Sequence, residues 1–159
     1  MMMYENVGTG VINDEDLPWI PFAPYSSDVM IKYIKCNPVS GETVTLLKAP
    51  SSMQMPRHHH TGTVIVYTIK GSWKYLEHDW IAREGSVVYE TASTRHTPVS
   101  VPSDSDEIIT FNIVQGELLY LDENDNIFAV ENWKTGLDRY LAYCKEHGLT
   151  PKDITGFRE

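Results

Sequence analysis

Between Val29 and Val130 the chain alternates short runs of β-branched and aromatic residues with turn residues. The runs read VMIKYIK, TVTLLK, TVIVYTIK, SWKYLE, WIA, SVVYE, IITFNIV, ELLYL and IFAV. Breaks fall at Pro50 with Ser51 and Ser52, at Gly71, at Glu84 and Gly85, at Pro102 to Asp106, and at Asp122 to Asn126. Many short strands at such spacing predict a sandwich or barrel, and hence an all-β core. The pattern changes from Trp133 onward. Leu137, Tyr140, Leu141 and Cys144 follow helical spacing, so one apolar stripe is expected on a helix that Gly148 ends. Thr150, Pro151 and Asp153 then suggest a cap opening a further helical turn.

The first 27 residues differ from both patterns. Pro18, Pro21 and Pro24 surround Trp19, Ile20 and Phe22, which suits an extended arm docked through its aromatics rather than a helix. The 159 residues are therefore expected to form one domain over 1–159, with an arm at 1–27 and a C-terminal helical segment at 131–159. The repeated Met1, Met2 and Met3 carry no functional signal.

Charge and cysteine content narrow the function. A net charge of −9 with no basic run disfavours a nucleic-acid partner. No apolar stretch approaches the ~20 residues of a membrane span, and the acidic start lacks the features of a signal peptide, so a cytoplasmic location is expected. Cys36 and Cys144 stand far apart and outside any CxxC pairing, which suggests neither a disulfide framework nor a thiolate metal site. The apolar arm and the barrel edges make a homodimer or homotetramer the expected assembly.

The strongest chemical signal is the run His58, His59, His60. In an extended segment alternate side chains share a face, so His58 and His60 can point together into a barrel while His59 points away. Imidazole is a common donor to divalent transition metals, and His96 is the natural third ligand. His59 and His78 read as solvent-facing or structural, and His147 as a charge suited to a helix C-terminus. Asp122, Asn124 and Asn126 imitate a calcium loop, but Ile127 stands where Gly is needed and Trp133 where the closing Glu belongs, so a turn is expected. No GxSxG nucleophile signature occurs.

The histidine spacing resembles the two motifs of the cupins. The first motif is HxH, three or four residues, Glu, six residues, Gly; here His58, His60, Val64 and Gly71 occupy its positions. The second is Gly, five residues, PxG, two residues, His; here Gly85, Thr91, Ser93 and His96 do so. Val64 cannot bind a metal, so the usual three-histidine, one-glutamate set is expected to lack its carboxylate. Thr91 and Ser93 stand in the Pro and Gly slots.

Further strings, LPWIPF, LLKAPSSMQMPRHHHTG, VYTIKGSWKYLEHDWIA and GSVVYETASTRHTP, resemble the 2,4'-dihydroxyacetophenone dioxygenase group of cupins over most of residues 17–147. The resemblance implies a jelly-roll barrel with a C-terminal helix and Fe(II) held by His58, His60 and His96, with zinc or nickel as substitutes in purified protein. It implies cleavage by O2 of the bond between a ketone carbonyl and the adjacent carbon, with related enzymes acting on dicarbonyls. The partners would be a small ketone and O2.

Three neutral imidazoles leave a full +2 on a metal and favour an anionic enolate ligand. A base must then deprotonate the ketone, and Glu90 and Glu77 are the candidates; either could also ligate weakly. Tyr67, Trp73, Tyr75, Trp80 and Phe111 lie on the expected strands, with their facing open. A zinc-holding regulatory cupin, like the domain of anti-sigma factors, is the main alternative. A metal-dependent isomerase or a degenerate barrel is the third.

Overall fold

The computed structural model describes residues 9–156. Met1 to Met3, residues 4–8 of the expected arm and residues 157–159 lie outside the described residues. Twelve strands and one α-helix follow in order: β1 Ile20–Pro21, β2 Met30–Cys36, β3 Thr43–Pro50, β4 His58–His60, β5 Val64–Lys70, β6 Trp73–Tyr75, β7 Val87–Glu90, β8 Arg95–His96, β9 Pro98–Ser100, β10 Glu107–Val114, β11 Leu118–Leu121, β12 Ile127–Glu131 and α1 Trp133–Glu146. A 3₁₀ turn at Asp14–Asp16 precedes them. All the longer apolar runs became strands, and only WIA reduced to a single bridge between Trp73 and Ala82.

The strands form a six-stranded sheet in the order β1-β2-β3-β10-β5-β7, a four-stranded sheet in the order β12-β11-β4-β8, and a β6-β9 pair. All pairings are antiparallel. Alternation places Val64, Val66 and Thr68 of β5 and Ile108, Thr110 and Asn112 of β10 inside the barrel. Ile65, Tyr67 and Ile69 stand outside. Gly71 makes the β5–β6 turn at φ 81°, where an added Cβ would lie 2.5 Å from the Glu107 carbonyl oxygen; glycine alone tolerates both demands.

The stretch Leu17 to Phe22 of the arm docks on its own barrel. Leu17, Ile20 and Phe22 are buried in a core shared with Ile31, Tyr33 and Tyr120, while Trp19 lies beneath the ammonium groups of Lys32 and Lys48. At the other end α1 begins at Asn132, whose side chain accepts from the N–H groups of Lys134 and Thr135. Tyr140 and Cys144 bury the stripe, whereas Leu141 stays exposed.

The helical turn expected after Thr150 does not form. Asp153 instead accepts from the N–H and hydroxyl of Thr155, and the Ile154 carbonyl accepts from the Cys36 N–H at 2.8 Å, so the segment is tied to the end of β2 with Ile154 buried. Asp122 makes the expected turn, accepting at 2.8 Å from the N–H groups of both Asn124 and Asn126. No helix among the described residues is long and apolar enough to cross a membrane.

Candidate metal centre

The three histidines converge. On β4 the side chains of His58 and His60 are buried, and His59 between them is only half-buried, as period-two alternation requires. β8 lies beside β4 with His96 directly opposite His58. Ring centroids are 5.0 Å apart for His58 and His60, 4.7 Å for His58 and His96, and 5.3 Å for His60 and His96. One ligand nitrogen from each lies within 4.8 Å of the others. The Nδ1–H of His58 donates to the Pro56 carbonyl at 3.0 Å, which leaves its Nε2 lone pair for the cluster. Burial, reinforced by His60 and His96, pushes the pKa of His58 down to about 3, so it is a neutral donor at physiological pH.

The centre does not lack a carboxylate. Val64 pairs across the sheet with Glu90, and from this adjoining position Glu90 places Oε2 3.1 Å from both His60 Nε2 and His96 Nε2. The acid expected to be missing from β5 is supplied by its neighbour on β7. Burial alone would raise the Glu90 pKa, but the imidazoles of His60 and His96 beside it outweigh burial and hold the group well below the usual carboxylate range. The Tyr75 hydroxyl donates a short bond to Oε1, and its ring stacks on His96 at 4.1 Å. Burial and the adjacent carboxylate push the Tyr75 pKa far up, so it stays a donor.

The donor set fits a cation. Glu90 Oε2 and His96 Nε2 are buried, and despite their 3.1 Å approach neither completes a hydrogen bond. Buried polar atoms left without partners beside three converging imidazoles are atoms that a cation would satisfy.

Glu77 stands elsewhere. Its two oxygens accept from the N–H and the hydroxyl of Thr97, at 2.8 and 2.9 Å, so it braces the residue after His96. His78 is exposed and stacks on Trp80. At the helix end, His147 donates from Nδ1 to the Tyr143 carbonyl. Ser93, in the glycine slot of the second motif, adopts φ 68° and donates its N–H to the His60 carbonyl. The left-handed conformation explains why a glycine suits that position.

His58, His60 and Glu90 line a cavity of about 160 Å³ inside the barrel, walled mainly by apolar side chains that include Ile31, Leu47, Val64, Val66 and Trp73. Thr45, Thr110 and Asn112 form a polar strip on the same wall, bonded to one another. Among the candidate aromatics, Trp73 and Tyr75 face this space. Tyr67 projects outward with Phe111 directly opposite it on β10, and Trp80 covers a separate groove that reaches Glu90 and His96 from outside. Tyr120 was not signalled by the motifs. It lines the cavity because it pairs opposite His58 on β11.

Residues 7–117 match the ChrR cupin-like domain family. The chain belongs to that family. This cupin is 68% identical to an RmlC-like cupin protein from Ralstonia eutropha JMP134, over 99% of this chain and 100% of the other, with a TM-score of 0.93. The acetylacetone dioxygenase of Acinetobacter johnsonii shares the fold at 18% identity, over 85% of this chain and 91% of the other, with a TM-score of 0.73. The anti-sigma ChrR, solved with SigE of Rhodobacter sphaeroides, shares it at 17% identity over 65% of this cupin and 52% of that chain, with a TM-score of 0.53. No curated protein matches the cupin.

Proposed function

We propose that the protein is a metal-dependent dioxygenase that uses O2 to cleave the C–C bond beside a carbonyl in an aromatic hydroxyketone or a related dicarbonyl. The observation that carries this is the shared cavity: His58, His60 and Glu90 open onto a largely apolar space inside the barrel. A cavity of about 160 Å³ suits one aromatic ring, since an apolar cavity of ~150 Å³ holds benzene. The likeness of fold to an acetylacetone dioxygenase supports the same chemistry.

His58, His60 and His96 would hold the metal. When bound, Fe(II) supplies access to O2 chemistry and positive charge for an enolate. The remaining work falls to the chain. Glu90, with Oε2 turned to the histidine cluster, is the base that takes the proton from the carbon beside the carbonyl. Tyr75 holds the other oxygen and so fixes the direction in which the base points. Protonation cancels the charge of Glu90 as the enolate gains one, so the charge facing the cation is conserved through the step. The apolar wall keeps water from competing with the substrate. Glu77 acts as a positioning residue, through Thr97, on His96.

A zinc-holding regulatory cupin is the second reading, favoured by one observation: Glu90 lies 3.1 Å from two of the three imidazoles, where a carboxylate donor would complete a tetrahedral site. Oxygen-electrode assays on anaerobically iron-loaded protein separate the two. Uptake of O2 with a hydroxymethyl aryl ketone or a 1,3-dicarbonyl, with a carboxylic acid formed, is expected; each of His58→Ala, His60→Ala and His96→Ala loses most of the bound metal. Folded, iron-loaded protein that consumes no O2 across such a panel overturns the dioxygenase.

A further inference from the structure

The turn between β11 and β12 carries a charge that reaches two other strands. Asp122 shapes the turn, and Asp125 sits in it at φ 64° with its N–H donated to the Asp122 carbonyl at 3.1 Å. From there the Asp125 carboxylate meets two guanidiniums. One oxygen lies 2.8 Å from Arg57, and the other accepts from Arg95. Among the described residues neither arginine pairs with another carboxylate.

Each arginine immediately precedes a histidine of the cluster, Arg57 before His58 and Arg95 before His96. Those two histidines face each other across β4 and β8, and His59 faces Arg95 on the other side of the same ladder. The ladder is only these two residue pairs long, and β8 lies at the edge of its sheet with β4 as its one neighbour there. So short a pairing has few backbone bonds with which to hold the histidines opposite each other. Behind His96, Glu77 already fixes Thr97. The turn supplies the matching hold on the residues in front of His58 and His96. Its strands lie beyond β4, in the order β12-β11-β4-β8, so the contact to Arg95 spans β4.

On the reading of His58, His60 and His96 as metal ligands, we infer that Asp125 is a positioning residue for the metal centre. Its carboxylate straps β4 to β8 through Arg57 and Arg95, so that His58 and His96 are held together before a cation arrives. Charge explains why an acid stands there. Without it, two guanidiniums would lie behind the site, repelling each other and an incoming divalent cation; Asp125 cancels one of the two charges and draws the arginines together. A lone surface ion pair contributes little. Here one carboxylate is shared by side chains from two strands, so it fixes a separation as well as a contact. The three side chains are between 37% and 51% exposed, which leaves the strap open to screening by salt.

Cobalt(II) binding by the full, metal-free chain tests the strap, followed by visible absorption and by competition with a chromophoric chelator. Asp125→Asn keeps the side-chain shape, and asparagine tolerates the left-handed backbone, so the turn is retained. It is expected to weaken cobalt binding by about tenfold at low salt, the low end for residues that orient ligands. The gap from the wild type closes as salt rises from about 20 mM to about 1 M, which the loss of a packing contact would not cause. Arg95→Gln, at an exposed position, breaks the strap from its other end and is expected to weaken binding by at least about threefold. A purely electrostatic role gives the opposite sign, because that variant removes a positive charge from behind the site. Equal affinity in the wild type and Asp125→Asn overturns the strap, as does a gap that ignores salt, or Arg95→Gln that binds cobalt as tightly as the wild type or more so. A wild-type chain that takes up no cobalt overturns the metal centre itself, and the strap with it.

Discussion

The two oxygens of Glu90 meet different partners, one turned toward His60 and His96 and the other held by Tyr75. Glu90→Gln keeps the shape and removes the charge that accepts a proton. It is expected to lower the rate of ketone-dependent O2 uptake by about 10²- to 10⁴-fold, while more metal is retained than in any histidine-to-alanine variant. Turnover measured beside metal content checks this, and equal losses of both assign Glu90 to binding alone. The histidines were legible because alternation along a strand is a local property: His58 and His60 share a face by spacing alone, and His96 follows from the motif frame. Glu90 was legible as a candidate base or weak ligand, but not as the residue that answers the missing acid at Val64. That substitution is made good only through the Val64–Glu90 register, which depends on how distant segments pair. Ser93 shows the same limit, since its left-handed backbone is set by the N–H it gives to His60.

At the scale of elements, α1 sits close to the barrel because Gly136 has no side chain. An added Cβ would lie 2.7 Å from the ring of Tyr33, whose hydroxyl is held by Arg139 at 2.5 Å. Alanine is the better helix former by ~1 kcal/mol, yet a buried ring so held cannot yield. Gly136→Ala is therefore expected to destabilise the protein by about 1–2 kcal/mol net, measured by denaturant unfolding; an increase in stability would place the helix farther from β2. The apolar stripe announced α1, and the long β-branched runs announced β2, β3, β5 and β10. The pairs β6–β9 and β4–β8 are two or three residues long and owe their existence to neighbours, so local pattern marks them poorly. The tail after Thr150 has the composition of a helix start, but a backbone bond to Cys36 and burial of Ile154 prevail.

For the whole molecule, burial of proton-bearing groups sets an alkaline limit. Burial pushes the Cys36 thiol up to about 12, and Tyr25, desolvated and bonded to Glu131, also rises to about 12. Above pH 9 the folded state keeps the Cys36 proton that the unfolded chain has released, so stability falls as pH climbs toward 12, by at most about 1.4 kcal/mol per pH unit from this thiol. A melting temperature that declines steadily above pH 9 is expected, with both thiols silent to a disulfide reagent until unfolding; a flat profile to pH 11 contradicts the burial of Cys36. The histidines and Glu90 also belong to different layers of the barrel. The imidazoles ride on the sheet built from β12, β11, β4 and β8, whereas the carboxylate rides on the edge of the other sheet. A cation held by the imidazoles and faced by Glu90 would rivet the two layers of the wall together, so occupancy would be felt as rigidity of the entire shell, well before any substrate arrives.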